Sequence, residues 1–373
     1  MAEIKKRIRA VITGGGTGGH IYPALAIAQG LKEAVPDIKI LYVGTGTGLE
    51  AEIVPKTGLP FKTITVSGLE RRLSLHNLKT AAMLGRSFFQ ANGILRSFRP
   101  DVVIGTGGYV CGPVVLTACL KKIPTLIHEQ NAFPGITNRI LSRYVDKVCI
   151  TFPEAKEHLF QKADIIETGL PVRTEIMNVS RDEAYKFFGL SPQKRTILVV
   201  GGSKGARSIN EAVIPLLEWV NSNPSVQLIV VTGRKNYNQF SSFLEGSPSG
   251  SAGVKIIPYL ERMDYGLAVA DIVVSRAGAS FLAEITAVGV PAILIPYPYA
   301  SENHQEYNAR SLEKRGAAKV YLEKEINGEM LLDAVKSVLH TDVLAAMAAQ
   351  SRSLGKPEAL SLITKSILQL LEK

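Results

Sequence analysis

The stretch IRAVITGGGTGGHIYPALA, residues 8–26, decides the fold of the N-terminal half of the chain. Residues 8–13 are apolar enough for a buried strand, five of the next six residues are glycine, and a helical apolar pattern follows. The pattern predicts a strand, a tight turn and a helix. Glycines let a ligand approach the backbone, and the helix directs its N–H groups and positive dipole end toward the same place. Such a turn suits an anion or an oxyanion.

The glycine spacing in this turn also fits the dinucleotide-binding fingerprint. That fingerprint needs a carboxylate at the end of the second strand, roughly 20 residues further on, to hold a ribose diol. The predicted second strand, residues 38–43, runs into glycines and threonines, and the nearest acids, Asp37 and Glu50, lie before the strand and beyond the loop. The sequence therefore disfavours a nicotinamide or flavin site. A Walker loop is disfavoured too, because no Gly-Lys-Ser/Thr follows at the required spacing.

His20 stands at the start of the predicted helix. An imidazole titrates near neutral pH, so His20 is a candidate general base. A histidine that only caps the helix or packs against the turn is the alternative, and the sequence leaves both interpretations open.

Composition indicates a globular protein with two domains. The 373 residues exceed what one ordinary core holds, and 46% of them are hydrophobic. A net charge of +10 favours anionic partners such as phosphates, nucleic acid or acidic lipid without choosing among them. The three cysteines show no zinc-binding spacing, and their odd number argues against a disulfide framework, so we expect a reducing cytosol. The first apolar run is short and ends in glycines, which predicts a strand rather than a signal peptide.

Short apolar segments alternate with helical segments along the whole chain. Strands are predicted at residues 8–13, 38–43, 61–66, 101–106, 125–129 and 147–150, then at 196–200, 226–232, 254–258, 271–275, 291–295 and 318–322. This alternation is typical of parallel sheets with helices on both faces. We predict an α/β fold of two tandem Rossmann-like domains that face a central cleft, with a boundary near residue 170. The sequence does not determine whether the last helices pack back on the first domain.

Polar groups follow several predicted strands, where open parallel sheets bind ligands. The second glycine turn, GGSKGAR at 201–207, suits a diphosphate, although a tight turn needs glycines as well. Glu284 is placed to accept both hydroxyls of a ribose, or is simply an acid favoured near a helix N-terminus. The loop at 296–305 carries amides that read sugar hydroxyls, or is merely solvated.

The run HEQN at 128–131 is dense in polar groups where the cleft is expected. Neither Asp-x-Asp nor His-x-x-x-His occurs, so no metal cage is expected and diphosphate charge would be met by helix ends and cations. Together these features favour a nucleotide-sugar transferase that needs no metal.

Residues 69–98 combine cations with large apolar side chains, and no acid occurs between Glu70 and Asp101. This composition is typical of a segment that lies on an anionic membrane surface. An ordinary helix whose apolar face packs on the sheet is the alternative, and the sequence weighs the two about evenly.

Seven motifs, in this order and spacing, resemble those of the MurG family, the UDP-N-acetylglucosamine transferases of glycosyltransferase family 28 that convert lipid I to lipid II. The motifs are GGGTGGHIYPALA (14–26), GTGGYVCGP (105–113), HEQNAFPGITN (128–138), GLPVR (169–173), GGSKGAR (201–207), RAGASFLAE (276–284) and NHQEYNA (303–309). The resemblance covers nearly the whole chain. It implies the GT-B fold, an inverting single displacement, no cofactor and no required metal.

The resemblance also implies domain roles. Residues 1–170 would bind the acceptor and the membrane, residues 171–349 would bind UDP-GlcNAc, and a final helix at about 350–373 would be the segment that returns. Leu73, Leu75, Leu78, Lys79, Phe88 and Phe89 would belong to a patch that binds the anionic cytoplasmic face of the cell membrane, as a peripheral protein.

The implied site residues are carried over position by position. On the acceptor side, Thr17, Gly18 and Gly19 would contact the acceptor diphosphate or the donor sugar, with His20 as the base for the 4-hydroxyl of the muramyl sugar and Asn131 at the sugar. On the donor side, Arg173 and Ser203 would contact the phosphates, and the backbone of Leu260 would contact the uracil. Gln305 would contact the sugar hydroxyls. The diphosphate and ribose would be held by Ala279, Ser280, Phe281, Leu282, Ala283 and Glu284.

Two positions depart from the family pattern, because Phe281 and Cys111 stand where hydroxyl residues are common. Any hydroxyl contact at these positions is in doubt, whereas contacts through backbone N–H groups would survive. A transferase for another lipid or small acceptor is an alternative function. A nucleic-acid binding module is another, but it needs aromatic residues interleaved with basic ones, and the basic stretch has mainly aliphatic partners.

Overall fold

The computed structural model describes residues 7–66, 75–160, 163–202, 205–242 and 253–372, with the backbone alone at 75–82, 239, 241 and 242. The chain forms two compact units. Unit 1 comprises Met1–Pro171 together with Glu358–Lys373, and unit 2 comprises Val172–Pro357.

Unit 1 is a parallel sheet with helices on both faces. Its strands are β1 Arg9–Thr13, β2 Lys39–Thr45, β3 Phe61–Ile64, β4 Val102–Gly105, β5 Thr125–Glu129, β6 Lys147–Ile150 and β7 Asp164–Glu167. Its helices are α1 Gly18–Ala34, α2 Leu49–Lys56, α3 Leu75–Phe98, α4 Cys111–Leu120, α5 Ile136–Leu141 and the C-terminal helix Ala359–Leu371, with a 3₁₀ helix at Pro153–His158.

The strands of unit 1 follow the order β3-β2-β1-β4-β5-β6-β7, so β1 lies near the middle of the sheet. Val11 of β1 pairs with Leu41 of β2 on one side and Val103 of β4 on the other. Strands covered on both faces need continuous apolar runs, which is why the short apolar segments were readable in the sequence. The strand predicted at 61–66 ends at Ile64, because the Thr65 N–H donates instead to Oε1 of Gln90 on α3 (2.8 Å).

The C-terminal helix packs on α1 within unit 1. Its Ile363, Ile367 and Leu370 are buried in the cluster formed by α1 and one face of the sheet. Gly30 of α1 makes this close approach feasible, since a Cβ there would lie 2.8 Å from Leu360 Cδ1.

Unit 2 repeats the architecture. Its strands are β8 Arg195–Val200, β9 Val226–Val231, β10 Val254–Ile257, β11 Ile272–Ser275, β12 Ala292–Leu294 and β13 Ala318–Val320. Its helices are α6 Thr174–Met177, α7 Arg181–Phe188, α8 Arg207–Ala212, α9 Ile214–Ser222, α10 Tyr237–Ser242, α11 Met263–Val269, α12 Ala279–Val288, α13 His304–Lys314, α14 Gly328–Leu339 and α15 Thr341–Leu354, which leaves the C-terminal helix of unit 1 as α16.

The strand order in unit 2 is β10-β9-β8-β11-β12-β13, and every pairing in both sheets is parallel. The predicted α/β class with two parallel sheets is therefore confirmed. The region predicted as a polar loop at 296–305 is shorter than expected. A 3₁₀ turn forms at Ser301–Asn303 and α13 begins at His304, so Gln305 lies in a helix.

Candidate functional site

The loops that follow β1 and β4 meet at the carboxyl edge of the sheet in unit 1. The Gly15 N–H donates to the Gly107 carbonyl oxygen (3.3 Å), and the Thr106 hydroxyl donates to the carbonyl oxygen of His20 (2.8 Å). Gly16 has φ of 84°, in the left-handed region that favours glycine. The glycine-rich turn is thus shaped by a neighbouring loop before any ligand arrives.

His20 is the third residue of α1, and Thr17 is the N-cap. Nδ1 of His20 lies 3.0 Å from the carbonyl oxygen of Gly15 and 3.3 Å from the Thr17 hydroxyl. A carbonyl oxygen can only accept a hydrogen bond, so Nδ1 carries the proton and Nε2 is the basic nitrogen. The ring packs beside Gly107, where a Cβ would lie 2.8 Å from the ring carbon Cδ2. The geometry therefore gives His20 the tautomer that a general base acting through Nε2 requires.

Glu50 belongs to this site, although in the sequence it lies beyond the loop that follows β2. Its carboxylate folds back from α2 and accepts hydrogen bonds from the Gly16 N–H (2.9 Å), the Thr45 N–H (3.0 Å) and the Thr45 hydroxyl (2.7 Å). Burial by itself would raise the pKa of Glu50, but these hydrogen bonds lower it on balance. The expectation that no carboxylate reaches the end of β2 is wrong. Glu50 is nevertheless fully buried, so it supports the turn and is not open to a ribose.

The polar run at 128–131 begins inside β5, and its first three residues are buried, contrary to the expectation that the run faces a ligand. The Nε2–H of His128 donates to the Gly169 carbonyl oxygen (2.9 Å), and Nδ1 accepts from the amide nitrogen of Gln130 (3.0 Å). Burial lowers the pKa of His128 to about 4, so the ring is neutral at pH 7. Gln130 also donates to the Thr106 carbonyl oxygen (2.9 Å), which ties this network to the β4 loop.

Asn131 ends this run at a half-buried position. Its backbone N–H and its side-chain amide donate to Oε1 of Glu129, at 2.9 and 3.3 Å. Burial raises the pKa of Glu129, and the donated hydrogen bonds oppose that effect. Glu129 thus orients the candidate sugar-binding amide, and the role of Asn131 stays a prediction.

Cys111 replaces a common hydroxyl with a thiol that faces the protein interior. Its Sγ donates toward the carbonyl oxygens of Thr13 and Gly107 (both 3.0 Å) and accepts from the Gly107 N–H (3.1 Å). Burial raises the pKa of the Cys111 thiol to about 12. Although Cys111 departs from the family pattern, its sulfur still joins the end of β1 to the loop after β4.

The second glycine turn follows β8 in unit 2. Gly202 and Gly205 have φ of 88° and 75°, and a Cβ on Gly201 would meet the backbone of Ala206. These positions therefore demand glycine for the turn itself. Ser203, the predicted phosphate contact, lies outside the described residues, as does Lys204.

Arg173 and Glu284 are joined by a two-pronged ion pair in unit 2. Arg173 Nε lies 2.8 Å from Oε1 of Glu284 and Nη2 lies 3.1 Å from Oε2. Burial raises the pKa of Glu284, and the guanidinium favours its charged form. The sequence assigned these residues to separate parts of a donor, and the structure brings them together.

Helix α12 begins at Ala279 after Gly278, and a Cβ on Gly278 would meet nothing within 4 Å among the described residues. The N–H groups of Ala279, Ser280 and Phe281 precede the first helical hydrogen bond, which Leu282 donates to Gly278 (3.0 Å). An anion at this end would be met by backbone, so a phenyl side chain at position 281 leaves that contact intact. Leu282 is buried and Ala283 half-buried, and their contact with the donor stays a prediction.

Gln305 is anchored by its side-chain oxygen. Oε1 accepts from the backbone N–H groups of Ala277 (3.2 Å) and Tyr297 (3.0 Å). The expectation that this amide both donates to and accepts from a sugar is therefore corrected: the oxygen is engaged with backbone, and the amide NH₂ remains as the donor.

Arg276 is a residue whose importance the sequence reasoning missed. Its side chain is largely buried and donates to the carbonyl oxygens of Ile295 (3.1 Å) and Pro296 (3.2 Å) and to the Ser208 hydroxyl (3.3 Å). It also pairs with Glu323 at 2.6 Å. Arg276 thus fastens the loops at the carboxyl edge of this sheet. A cation placed directly after β11 was the available signal.

Leu260, expected to present its backbone to a base, follows β10 and is buried, with its side chain against Gly266 of α11. Its backbone role stays a prediction.

Helix α3 packs one face on the sheet, and membrane binding by its other side stays a prediction. Ala91 and Leu95 are buried against the sheet, so the packing interpretation holds for one face. Phe89 is 79% exposed and Phe88 half-buried. Leu73 lies outside the described residues, and the side chains of Leu75, Leu78 and Lys79 are not described.

In the part of the chain that is described, we find no cluster of three or more His, Cys, Asp or Glu side chains arranged for a metal ion. None of the described helices has the length and apolarity to cross a membrane.

Comparison with known families matches both units. Residues 10–150 match the glycosyltransferase family 28 N-terminal domain, and residues 196–363 match the glycosyltransferase family 28 C-terminal domain. Two relatives carry the name UDP-N-acetylglucosamine–N-acetylmuramyl-(pentapeptide) pyrophosphoryl-undecaprenol N-acetylglucosamine transferase. The one from Desulforamulus reducens is 51% identical over 98% of this chain and 100% of its own length. The one from Moorella thermoacetica is 49% identical over the same shares.

Solved structures agree with this assignment. The crystal structure of MurG from Acinetobacter baumannii is 29% identical, covers 97% of this chain and 99% of its own, and superposes with a TM-score of 0.81. A UDP-GlcNAc 2-epimerase from Neisseria meningitidis shares the fold alone, at 15% identity, a TM-score of 0.64 and coverage of 97% and 99%. With two parallel Rossmann-like sheets of the GT-B class and a family match over most of its length, the chain belongs to glycosyltransferase family 28.

Proposed function

We propose that the protein transfers N-acetylglucosamine from UDP-GlcNAc to the 4-hydroxyl of the N-acetylmuramyl sugar of lipid I, which forms lipid II for peptidoglycan. The proposal is supported by relatives of that name that are 44–51% identical over nearly the full length. Within the site, the observation that carries the proposal is the 3.0 Å contact between His20 Nδ1 and the Gly15 carbonyl oxygen, which leaves Nε2 as the basic nitrogen.

In unit 1, Nε2 of His20 accepts the proton of the muramyl 4-hydroxyl. The oxygen attacks the anomeric carbon of the donor sugar, the new C–O bond forms as the bond to the β-phosphate oxygen breaks, and UDP leaves with the electron pair. Attack from the opposite face inverts the anomeric centre. Thr17, Gly18 and Gly19 meet the acceptor diphosphate or the donor sugar through the N-terminus of α1, and Asn131 lies at the sugar.

In unit 2, the donor is bound by groups along the carboxyl edge of the sheet. The first turn of α12 and Arg173 meet the phosphates, with Ser203 from the glycine turn. Glu284 accepts the ribose hydroxyls, the Leu260 backbone meets uracil, and the amide NH₂ of Gln305 donates to a sugar hydroxyl. We expect neither a metal nor a nucleic acid to take part.

The exposed side of α3 binds the anionic surface of the membrane that holds lipid I, at its cytoplasmic face. Phe89 and Leu84 are exposed there, next to Arg86. Apolar side chains would enter the headgroup region, and each nearby cation adds about 1 kcal/mol at an anionic surface. Phe89→Asp is expected to reduce sedimentation with phosphatidylglycerol vesicles, and unchanged sedimentation would contradict this placement.

Transfer of labelled GlcNAc to lipid I tests the function directly. A parallel assay with diacylglycerol as the acceptor tests the alternative function. A transferase for another lipid would glucosaminylate diacylglycerol, whereas the proposed enzyme would not. His20→Gln is expected to lower kcat by about 10²- to 10⁴-fold, the usual contribution of a general base. His340→Gln, at an exposed position in unit 2, is the matched control. Transfer to diacylglycerol and not to lipid I would overturn the proposal.

A further inference from the structure

A single peptide group lies between the carboxylate of Glu50 and the imidazole of His20. The carbonyl oxygen of the Gly15–Gly16 peptide accepts from Nδ1–H of His20 at 3.0 Å, and the N–H of the same peptide donates to Oε2 of Glu50 at 2.9 Å. The two hydrogen bonds therefore form a chain: carboxylate, peptide N–H, peptide C=O, imidazole N–H.

A peptide group transmits charge because its C–N bond has partial double-bond character. An anion that accepts a hydrogen bond from the peptide N–H favours the resonance form with more negative charge on the carbonyl oxygen. Hydrogen bonds in such a chain therefore strengthen one another. A more negative oxygen favours the proton on Nδ1 and stabilises an imidazolium. Direct contact between a carboxylate and an imidazole has the same two effects in hydrolases.

We propose that Glu50 is a positioning residue for His20, acting through the Gly15–Gly16 peptide to fix the Nδ1–H tautomer and to raise the proton affinity of Nε2. The proposal rests on the proposed function, in which Nε2 takes the acceptor proton.

The surrounding sequence is built to admit this carboxylate. A Cβ on Gly15 or on Gly48 would meet the carboxylate of Glu50, and a Cβ on Gly44 would lie 2.7 Å from Glu50 Cγ. Glycine at these positions thus leaves the space that the Glu50 side chain occupies. Thr45 holds the other carboxylate oxygen with its N–H and hydroxyl, which leaves Oε2 directed at Gly16.

Two other titratable groups beside the turn, Tyr42 and Cys111, are held in their neutral forms by burial. The Tyr42 hydroxyl from β2 donates to the Gly14 carbonyl oxygen (2.7 Å), and burial raises the pKa of Tyr42. Burial likewise raises the pKa of Cys111 on α4 to about 12. Tyr22 of α1 lies beside Gly18. Glu50, whose pKa is lowered, therefore supplies negative charge to the turn.

Nitrogen-15 NMR of the histidine-labelled full-length enzyme tests the proposal without any substrate. The His20 signals are assigned by their loss in His20→Gln. In the wild type we expect the Nδ1–H tautomer at high pH. An Nε2–H tautomer would overturn the proposal, and the only variant that this measurement needs is the folded His20→Gln protein used for the assignment.

Glu50→Gln tests the charge. Gln has one acceptor oxygen where the carboxylate has two, so the donors of Thr45 and Gly16 can no longer both be satisfied, and the negative charge is lost. Because the carboxylate stabilises the imidazolium, its removal lowers the pKa of His20, and we expect the titration midpoint to fall by about half a pH unit or more. The acid limb of the kcat/KM profile should move to lower pH by the same amount. A weaker base should lower the plateau kcat about three- to tenfold, with KM for UDP-GlcNAc unchanged.

Glu52→Gln, on the same helix but exposed, is the matched control and should leave the His20 titration unchanged. Thr45→Val removes one donor to the carboxylate and keeps its charge, so it should move the His20 midpoint far less than Glu50→Gln. Equal effects of Thr45→Val and Glu50→Gln, or a fall in kcat with an unmoved acid limb, would mean that Glu50 is merely structural and would overturn the proposal. A protein that lacks transferase activity but shows the expected NMR shifts would instead refute the proposed function alone.

Discussion

The guanidinium of Arg173 and the carboxylate of Glu284 form two parallel hydrogen bonds, at 2.8 and 3.1 Å, although 111 residues separate them in the chain. Both oxygens of Glu284 thus point toward one side of unit 2, with the charge of each partner balanced by the other. A donor that takes the ribose to Glu284 and the phosphates to Arg173 would meet two groups that already orient each other.

Glu284→Gln is expected to weaken UDP binding about 10- to 100-fold, because hydrogen bonds to a charged acceptor are worth about 1.5–3 kcal/mol. Gln offers one acceptor oxygen for a diol that uses two. Calorimetric titration with UDP measures the effect, and Glu329→Gln, an exposed acid on α14, serves as the control. Unchanged UDP affinity in Glu284→Gln would remove Glu284 from the donor site.

Gln305→Glu separates anchoring of the loop from recognition of the sugar. The oxygen that accepts from Ala277 and Tyr297 is retained, and the NH₂ donor is lost. We expect the affinity for UDP-GlcNAc to fall about tenfold, the value of one hydrogen bond to a buried polar group, and the affinity for UDP to stay the same. Equal loss for both ligands would show that Gln305 acts only through the loop.

Gly30→Ala is expected to destabilise unit 1 by about 1–3 kcal/mol, the usual effect of overpacking. The added Cβ would lie 2.8 Å from Leu360 Cδ1 and 2.9 Å from the Thr364 hydroxyl oxygen of α16. Gly93→Ala on α3 is the matched helix control, because a Cβ there meets nothing within 4 Å of the described structure, and it should stabilise by up to about 1 kcal/mol.

Thermal unfolding distinguishes the units in these two variants. Trp219 is the single tryptophan of the chain and lies in unit 2, so its fluorescence follows unit 2 while circular dichroism follows both. A shift confined to the dichroism transition is expected for Gly30→Ala. A stability equal to that of Gly93→Ala would contradict the packing of α16 on α1.

His128 makes the stability of unit 1 depend on pH. Its pKa is about 4 in the folded protein and near 6.5 when unfolded, so the unfolded state binds more protons between these values. The contribution of neutral His128 to the free energy of unfolding is therefore fully present above pH 6.5. It decreases as the pH drops toward 4, by at most about 1.4 kcal/mol per pH unit. Urea unfolding of the wild type and His128→Gln should show a flatter dependence in the variant. Parallel curves would contradict a neutral buried ring.

Much of the fold was readable from local patterns. The strand at Thr125–Glu129 and that at Lys147–Ile150 have the predicted bounds, and the other predicted strands agree within one or two residues, because short buried strands leave continuous apolar runs. Strand β7, Asp164–Glu167, was not predicted, and none of its four residues is fully buried. The position of His20 at the start of α1 followed in the same way from the glycines before it.

The candidate site was only partly readable. Gln305 was expected in a loop and lies in α13, and the polar run from His128 to Gln130 was expected to face a ligand and is buried. A polar run after a strand gives no information about which side chains turn inward. Burial is decided by the neighbouring loop, here the one that carries Thr106.

The sequence by itself determined two parallel sheets, the strand-to-helix turns that carry the glycines, and membership of a family, because apolar periodicity and glycine spacing are local properties of the chain. Tertiary structure alone decided that Glu50 lies against Gly16, that Arg173 pairs with Glu284, and that the returning C-terminal helix packs on α1 beside Gly30. These contacts depend on which loops meet at the carboxyl edge of a sheet and which helix faces fit together. Both are set by the packing of segments distant in sequence, which no local pattern records.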